Sequence, residues 1–145
     1  MTKTTLQSQY GGTAVELAFV IPILVLLIFG IIEFSLLIYN KTMITNAARE
    51  GARYGVVWAP EENLRMTQSN IQLVVENFLG NRLISFNPDN TDAIAVVTNG
   101  ACGDFDVYEP LTVTVTYPYY FLTLPIGPIS LSSEANMLCE AVVAQ

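Results

Sequence analysis

From Leu17 to Ile32 no charged side chain interrupts the chain, and after Glu33 the apolar run resumes from Phe34 to Tyr39. Leu17 to Tyr39 is about 23 residues, or roughly 34 Å of helix, enough to cross a hydrocarbon core. The pattern predicts one membrane-spanning helix. Pro22 lies inside it and leaves the carbonyl of Ala18 without its helical donor, so a bend or loosening is expected there. Membrane helices tolerate such a defect where neighbouring helices cover it. Glu16 and Glu33 bracket the run. A carboxylate at the interface costs little, whereas deeper placement costs about 2.5–3.5 kcal/mol on insertion scales. Glu33 fits a headgroup-level residue and a packing residue equally well.

Beyond Tyr39 the helical pattern continues. Ala47, Gly51 and Gly55 recur every four residues, with Ala48 and Ala52 beside them. Small residues in that register let another helix approach closely, and they also suit a water-exposed stem of good helix formers. Arg49 and Arg53, one turn apart, form a solvated flank. Pro60 interrupts, and Glu61, Glu62 and Arg65 open a second amphipathic helix with apolar residues Leu64, Ile71, Val74, Val75, Phe78 and Leu79. Gly80 and Asn81 are its stop residues. The period then changes to two. Ala93 to Thr98 is rich in β-branched residues and is followed by the turn pair Asn99-Gly100. Leu111 to Tyr117 alternates strictly as Leu-Thr-Val-Thr-Val-Thr-Tyr and is the clearest strand. Pro118, Pro125, Gly127 and Pro128 assign Tyr119, Tyr120 and Phe121 to a loop, and Ile129 to Val143 supplies one long final strand. The expected class is α+β: a long N-terminal transmembrane helix with a helical stem, then a small antiparallel sheet carrying the second helix on one face.

Composition narrows the functional classes. Length, 145 residues, suits one small domain plus an anchor. The charged fraction is 13%, about half the share of a soluble domain, and the net charge is −7. No Lys or Arg follows Arg82, whereas Asp89, Asp92, Asp104, Asp106, Glu109, Glu134 and Glu140 do. Such a surface repels phosphate backbones and argues against nucleic acid as a partner. The chain has no histidine, the side chain best matched to proton transfer near neutral pH and the commonest metal ligand. No phosphate-binding glycine loop or metal-ligand cluster stands out, so neither an enzyme nor a cofactor is expected. Asp89-Asn90-Thr91-Asp92 and Asp104-Phe105-Asp106 lack the glycine and ligand spacing of a calcium loop and read as solvated acids. The only cysteines are Cys102 and Cys139, too few for a four-ligand zinc site. One disulfide is the sharper reading if this half faces an oxidising compartment, although spacing alone does not show that the sulfurs meet.

The N-terminus departs from a secretory signal, which has a basic start and a cleavage site after its apolar core. Here Lys3 is the only basic side chain before the core, and Gly11 and Gly12 stand in front of it. A cut between these glycines would leave Gly12 first and Glu16 fifth, with the helix retained. Gly12-Thr13-Ala14-Val15-Glu16-Leu17-Ala18-Phe19-Val20-Ile21-Pro22 resembles the start of TadE-like proteins, minor pilins of tight-adherence (Flp) pili. Phe29 to Phe34 and Asn46 to Tyr54 match the same pattern, and Leu111 to Pro118 and Ala135-Asn136-Met137 resemble the family's C-terminal half more weakly. Leu17, where the family usually has an aromatic residue, and Ser8-Gln9-Tyr10, which lack the usual basic character, depart from it.

The resemblance implies a subunit of the cytoplasmic (inner) membrane, cut by a prepilin peptidase and working with other pilin subunits and the pilus-assembly machinery. It implies three segments: a leader over residues 1–11, a transmembrane helix and stem over 12–58, and an extracytoplasmic α+β domain over 59–145. By analogy with type IV-like pilins, Glu16 pairs with a neighbour's new N-terminal ammonium. That attraction is stronger in low dielectric, though desolvation cancels part of it. Alternatively, Glu16 is a helix N-terminal carboxylate favoured by the macrodipole. Orientation carries a tension. Lys41, Arg49 and Arg53 outnumber the cations before the span and favour a C-terminal side inside, whereas the resemblance and the cysteines favour outside. A rival class is a membrane-tethered binding or adhesin module outside any pilus, its Tyr119-Tyr120-Phe121 loop touching a partner.

Overall fold

The computed structural model describes residues 9–56, 67–87, 94–99, 110–123 and 127–139. The expectations for Asp89 to Asp92, Asp104 to Asp106, Cys102 and the start of the second helix at Glu61 lie outside the described residues. Five elements follow one another: α1 (Gln9–Val56), α2 (Gln68–Leu79), β1 (Ala95–Asn99), β2 (Pro110–Tyr119) and β3 (Ile129–Leu138). This is the α+β layout expected from the sequence. By compactness the chain divides into residues 1–35 and 36–145. The second unit thus takes in residues 36–56, the stem that composition alone groups with the anchor.

The first unit is the apolar part of α1. Every residue from Gly12 to Ile32 is exposed, and the helix there is apolar on all sides. A helix greasy all round has no face suited to water. Pro22 sits inside α1, and the helix continues through it.

The second unit is built on a three-stranded antiparallel sheet in the order β1-β2-β3. β2 is the centre because its alternation is cleanest. Leu111, Val113, Val115, Tyr117 and Tyr119 are buried, while Thr112, Thr114 and Thr116 point the other way and stay half-exposed. Val96 on β1 pairs with Val115, and Ala135 on β3 pairs with Val113. On the outward face Thr112 donates to the side-chain oxygen of Asn136, whose Nδ2 donates to Glu134 Oε1 at 3.1 Å. This polar face needs no cover.

The structure corrects one boundary. The sequence pattern ends this strand at Tyr117 and gives Pro118 to Phe121 to a loop, yet β2 runs through Pro118 to Tyr119. β1 pairs with β2 only as far as Ala95↔Thr116, so Pro118 lies where β2 is flanked by β3 alone. A strand tolerates a residue without an N–H in such an edge setting. Tyr119 is therefore fully buried, edge-on to Phe121 with ring centroids 5.4 Å apart, and is not free to touch a partner. The final strand runs from Ile129 to Leu138, and the expectation for Glu140 to Val143 lies outside the described residues.

α2 covers the inward face of the sheet with Ile71, Val75 and Leu79, four residues apart and buried. The carbonyl of Thr67 accepts from Asn70 and Ile71 N–H at 2.9 and 3.1 Å and starts the helix. Gly80, at φ +43°, ends it, its N–H donating to Glu76 O at 2.7 Å. The left-handed conformation there favours glycine. Ile44, Ala47, Ala48 and Ala52 of α1 complete the core.

Candidate functional site

The sequence-derived site residues fall into two groups, one in each compact unit. In the first unit, α1 begins at Gln9, so Gly11 and Gly12 lie in its first turn and Glu16 comes about two turns in. The field of a helix terminus fades within the first turn. In the uncut chain the macrodipole therefore does little for Glu16. Nothing approaches within 4 Å of the place a side chain would occupy on Gly12 or Gly30, and Glu16 and Pro22 are exposed. Val20, Ile23, Leu24 and Leu27 line a shallow, almost wholly apolar groove on the helix surface. The helix is long and apolar enough to cross a membrane, and none of its most apolar stretch is covered by the rest of the chain. Near the end of that stretch Ser35 Oγ donates to Ile31 O at 2.7 Å, a back-bond within the helix. Glu33 differs from Glu16: it is only 6% exposed and is engaged in an interaction.

In the second unit Ala47, Gly51 and Gly55 come together against α2 and β2. A Cβ on Gly51 would lie 2.7 Å from Val75 Cγ2 and 3.4 Å from both Ile71 Cγ2 and Val113 Cγ1. On Gly55 it would lie 2.8 Å from Ile71 Cδ1 and meet Leu111 Cδ2 more closely still. The helix admitted by these small residues is thus α2 of the same chain, with a strand beside it. Glycine is required because the neighbours occupy the space a methyl would take. Arg49 and Arg53 are exposed, as a solvated flank should be.

Sequence reasoning missed Asn40. It is fully buried, and its amide copies the pairing of a β-strand. Nδ2 donates to Ile84 O at 2.5 Å, and Ile84 N–H donates to Oδ1 at 3.0 Å. Residues 82–87 form no strand, so this side chain supplies the partner that Ile84's backbone would otherwise lack. The available signal was register: Asn40, Ile44, Ala47, Gly51 and Gly55 fall on one helix face, which makes a polar first member conspicuous. Ser133 is a second such residue, inward-facing on β3 and donating to Thr45 Oγ1 at 2.9 Å, while Lys41 reaches the carbonyl of Ser132. Cys139 is buried just after β3 and is not a free thiol.

Among the described residues no three His, Cys, Asp or Glu side chains gather as a metal site would require. No curated protein and no solved structure matches this chain. A family model does match residues 11–53, and its description is TadE-like protein. The match covers the greasy rod and the stem whose small residues pack against α2, the same stretch whose sequence blocks resemble that family. Residues 11–53, less than a third of the chain, are thus similar to TadE-like proteins.

Proposed function

We propose that the chain is a minor pilin or pseudopilin of a tight-adherence pilus, anchored in the cytoplasmic membrane by α1 with its α+β unit on the extracytoplasmic side. The observation that carries this reading is the uncovered apolar half of α1 ending in a small compact domain. A lone helix of that kind needs lipid, and in an assembled pilus it needs like helices. In this reading a prepilin peptidase removes the leader at Gly11 or Gly12. Cutting there brings Glu16 from the third turn of the helix to the fifth residue of the product after Gly11, or the fourth after Gly12, within reach of a terminal ammonium. Glu16 then pairs with the ammonium of an adjacent subunit and sets the register between neighbouring rods. Cys139 pairs with Cys102, the only other cysteine, as an oxidising compartment allows.

Three measurements test the parts separately. Sequencing the N-terminus of protein purified from membranes should find Gly12 or Thr13 first, and an intact Met1 would refute processing. Glu16→Gln should abolish piliation while the protein still fractionates with membranes; normal pili in that variant would remove Glu16 from assembly. Alkylation of both thiols without prior reduction would show that the cysteines are not bridged.

A further inference from the structure

We infer that the foot of the α+β unit, formed by Ile84, Phe86 and Leu122 around Tyr39, dips into the headgroup region of the bilayer instead of standing clear of it on a stalk. The inference rests on the reading that α1 spans a membrane, and every residue it uses belongs to the compact unit 36–145.

The level of each element along α1 follows from contacts inside that unit. Leu111 of β2 lies against Gly55, and Val113 lies 3.4 Å from the Cβ position of Gly51. β2 therefore descends α1, two strand residues for every four helix residues, or about 6.6 Å against about 6 Å. Continuing in step, Val115 falls beside residue 47, Tyr117 beside residue 43 and Tyr119 beside Tyr39. An independent contact agrees: Ser133 is the β3 partner of Val115, and its hydroxyl bonds Thr45 at 2.9 Å, within two residues of that level. Asn40 fixes the second element, because both its hydrogen bonds go to the backbone of Ile84. The end of β2 and the segment after α2 thus reach down to residues 39–40, where the apolar run of the helix stops.

The side chains at that level suit an interface between water and lipid. Ile84 is 39% exposed, Phe86 38%, Leu122 46% and Tyr39 42%, with Phe121 half-buried beside them. Large apolar side chains standing in water at the end of a membrane span would be unfavourable, whereas aromatic and apolar residues concentrate at the headgroup level. Arg82 and Lys41, near the same level, place cations where phosphate headgroups lie. Leu36 to Tyr39, the last residues of the apolar run, belong to the same compact unit as the patch, which commits the patch to lipid as its occupant.

The test uses the full chain, with Trp58→Phe to remove its single tryptophan, reconstituted in phosphatidylcholine vesicles whose upper acyl carbons are brominated. Phe86→Trp and Leu122→Trp should show blue-shifted emission and lose intensity to the bromines. Tyr54→Trp, on α1 about 21 Å beyond Asn40, should keep its intensity. Phe29→Trp, in the middle of the apolar run, is measured in companion vesicles brominated near the acyl chain ends and reports on the span alone. Quenching of Phe29→Trp without quenching of Phe86→Trp and Leu122→Trp would overturn the proposal and leave the anchor standing. Emission at residue 86 that is blue-shifted yet insensitive to bromine would mean that protein covers the patch, and would overturn it too. Failure of Phe29→Trp to quench would remove the anchor reading and this inference with it.

Discussion

The two halves of α1 belong to one helix, yet they obey different rules. From Gly12 to Ile32 every position is exposed, and side chains of very different size, Phe19, Gly30 and Leu26 among them, sit in open surroundings. From Leu36 onward one face is buried and its members are fitted to their neighbours: Asn40 to Ile84, Gly51 to Val75, Gly55 to Leu111 and Ile71. The first half is specified by polarity and the second by shape. A charge should therefore be ruinous in the first half and a change of volume harmless, while in the second half a single methyl group should matter.

The largest expected effect tests the first half. Leu26→Asp puts a carboxylate near the middle of the apolar run, where burial in hydrocarbon costs about 2.5–3.5 kcal/mol on insertion scales. The insertion equilibrium constant should fall by more than tenfold, since each 1.4 kcal/mol is a factor of about ten, and the protein should become easier to extract from membranes with carbonate. Leu26→Ala, which changes volume but not polarity, should insert normally. Equal loss in both variants would show that packing, not solvent, decides this half, and the contrast would be broken.

How far the sequence disclosed all this follows the same division. Polarity is written in the order of residues, so a helix apolar and long enough to span could be read from Leu17 to Tyr39 without any structure. Alternation is nearly as legible, and Leu111 to Tyr117 declared itself a strand with its valines inward. The proline rule misled at Pro118 because it concerns a backbone N–H, and whether that N–H is needed depends on how far β1 extends, a long-range fact. Shape complementarity is the least legible of all. The spacing of Ala47, Gly51 and Gly55 announced a close approach, but its object, Ile71 and Val75 of α2, is set by the tertiary fold. The role of Asn40 depends on Ile84, 44 residues away in the chain, so register marks the position on the buried face without naming its partner.

A medium effect sharpens the comparison at the boundary between the halves. Asn40→Leu keeps the branching and the number of side-chain heavy atoms but leaves the N–H and carbonyl of Ile84 without partners. Unsatisfied buried backbone groups cost about 1–3 kcal/mol. The α+β unit should melt earlier, and the amide of Ile84 should exchange with solvent much faster, while carbonate extraction is unchanged. Unaltered protection at Ile84 would mean that some other group, or water, satisfies that backbone.

The smallest effect is the most discriminating, because it turns on a single methyl group placed at two positions one helical turn apart. In Gly51→Ala the new Cβ would sit 2.7 Å from Val75 Cγ2. Val75 is fully buried and β-branched, so its methyl cannot swing aside without leaving its rotamer. Overpacking of this kind costs about 1–3 kcal/mol, against which alanine returns about 1 kcal/mol of helix propensity. The net change should be a destabilisation on the order of 1 kcal/mol, a drop of roughly 4–8 °C in the melting temperature of a domain somewhat smaller than this unit. In Gly55→Ala the obstructing atoms are the terminal methyls of Leu111 and Ile71, on longer and more adaptable side chains. The same helix gain then comes closer to offsetting the strain, so this variant should melt nearer to the parent. Gly30→Ala has nothing within 4 Å to meet and should leave the α+β unit untouched. Because the three substitutions are chemically identical, the ranking Gly51, Gly55, Gly30 isolates the surroundings from the residue. If Gly51→Ala melted no lower than Gly30→Ala, α2 could not be packed as tightly on the stem as these distances require.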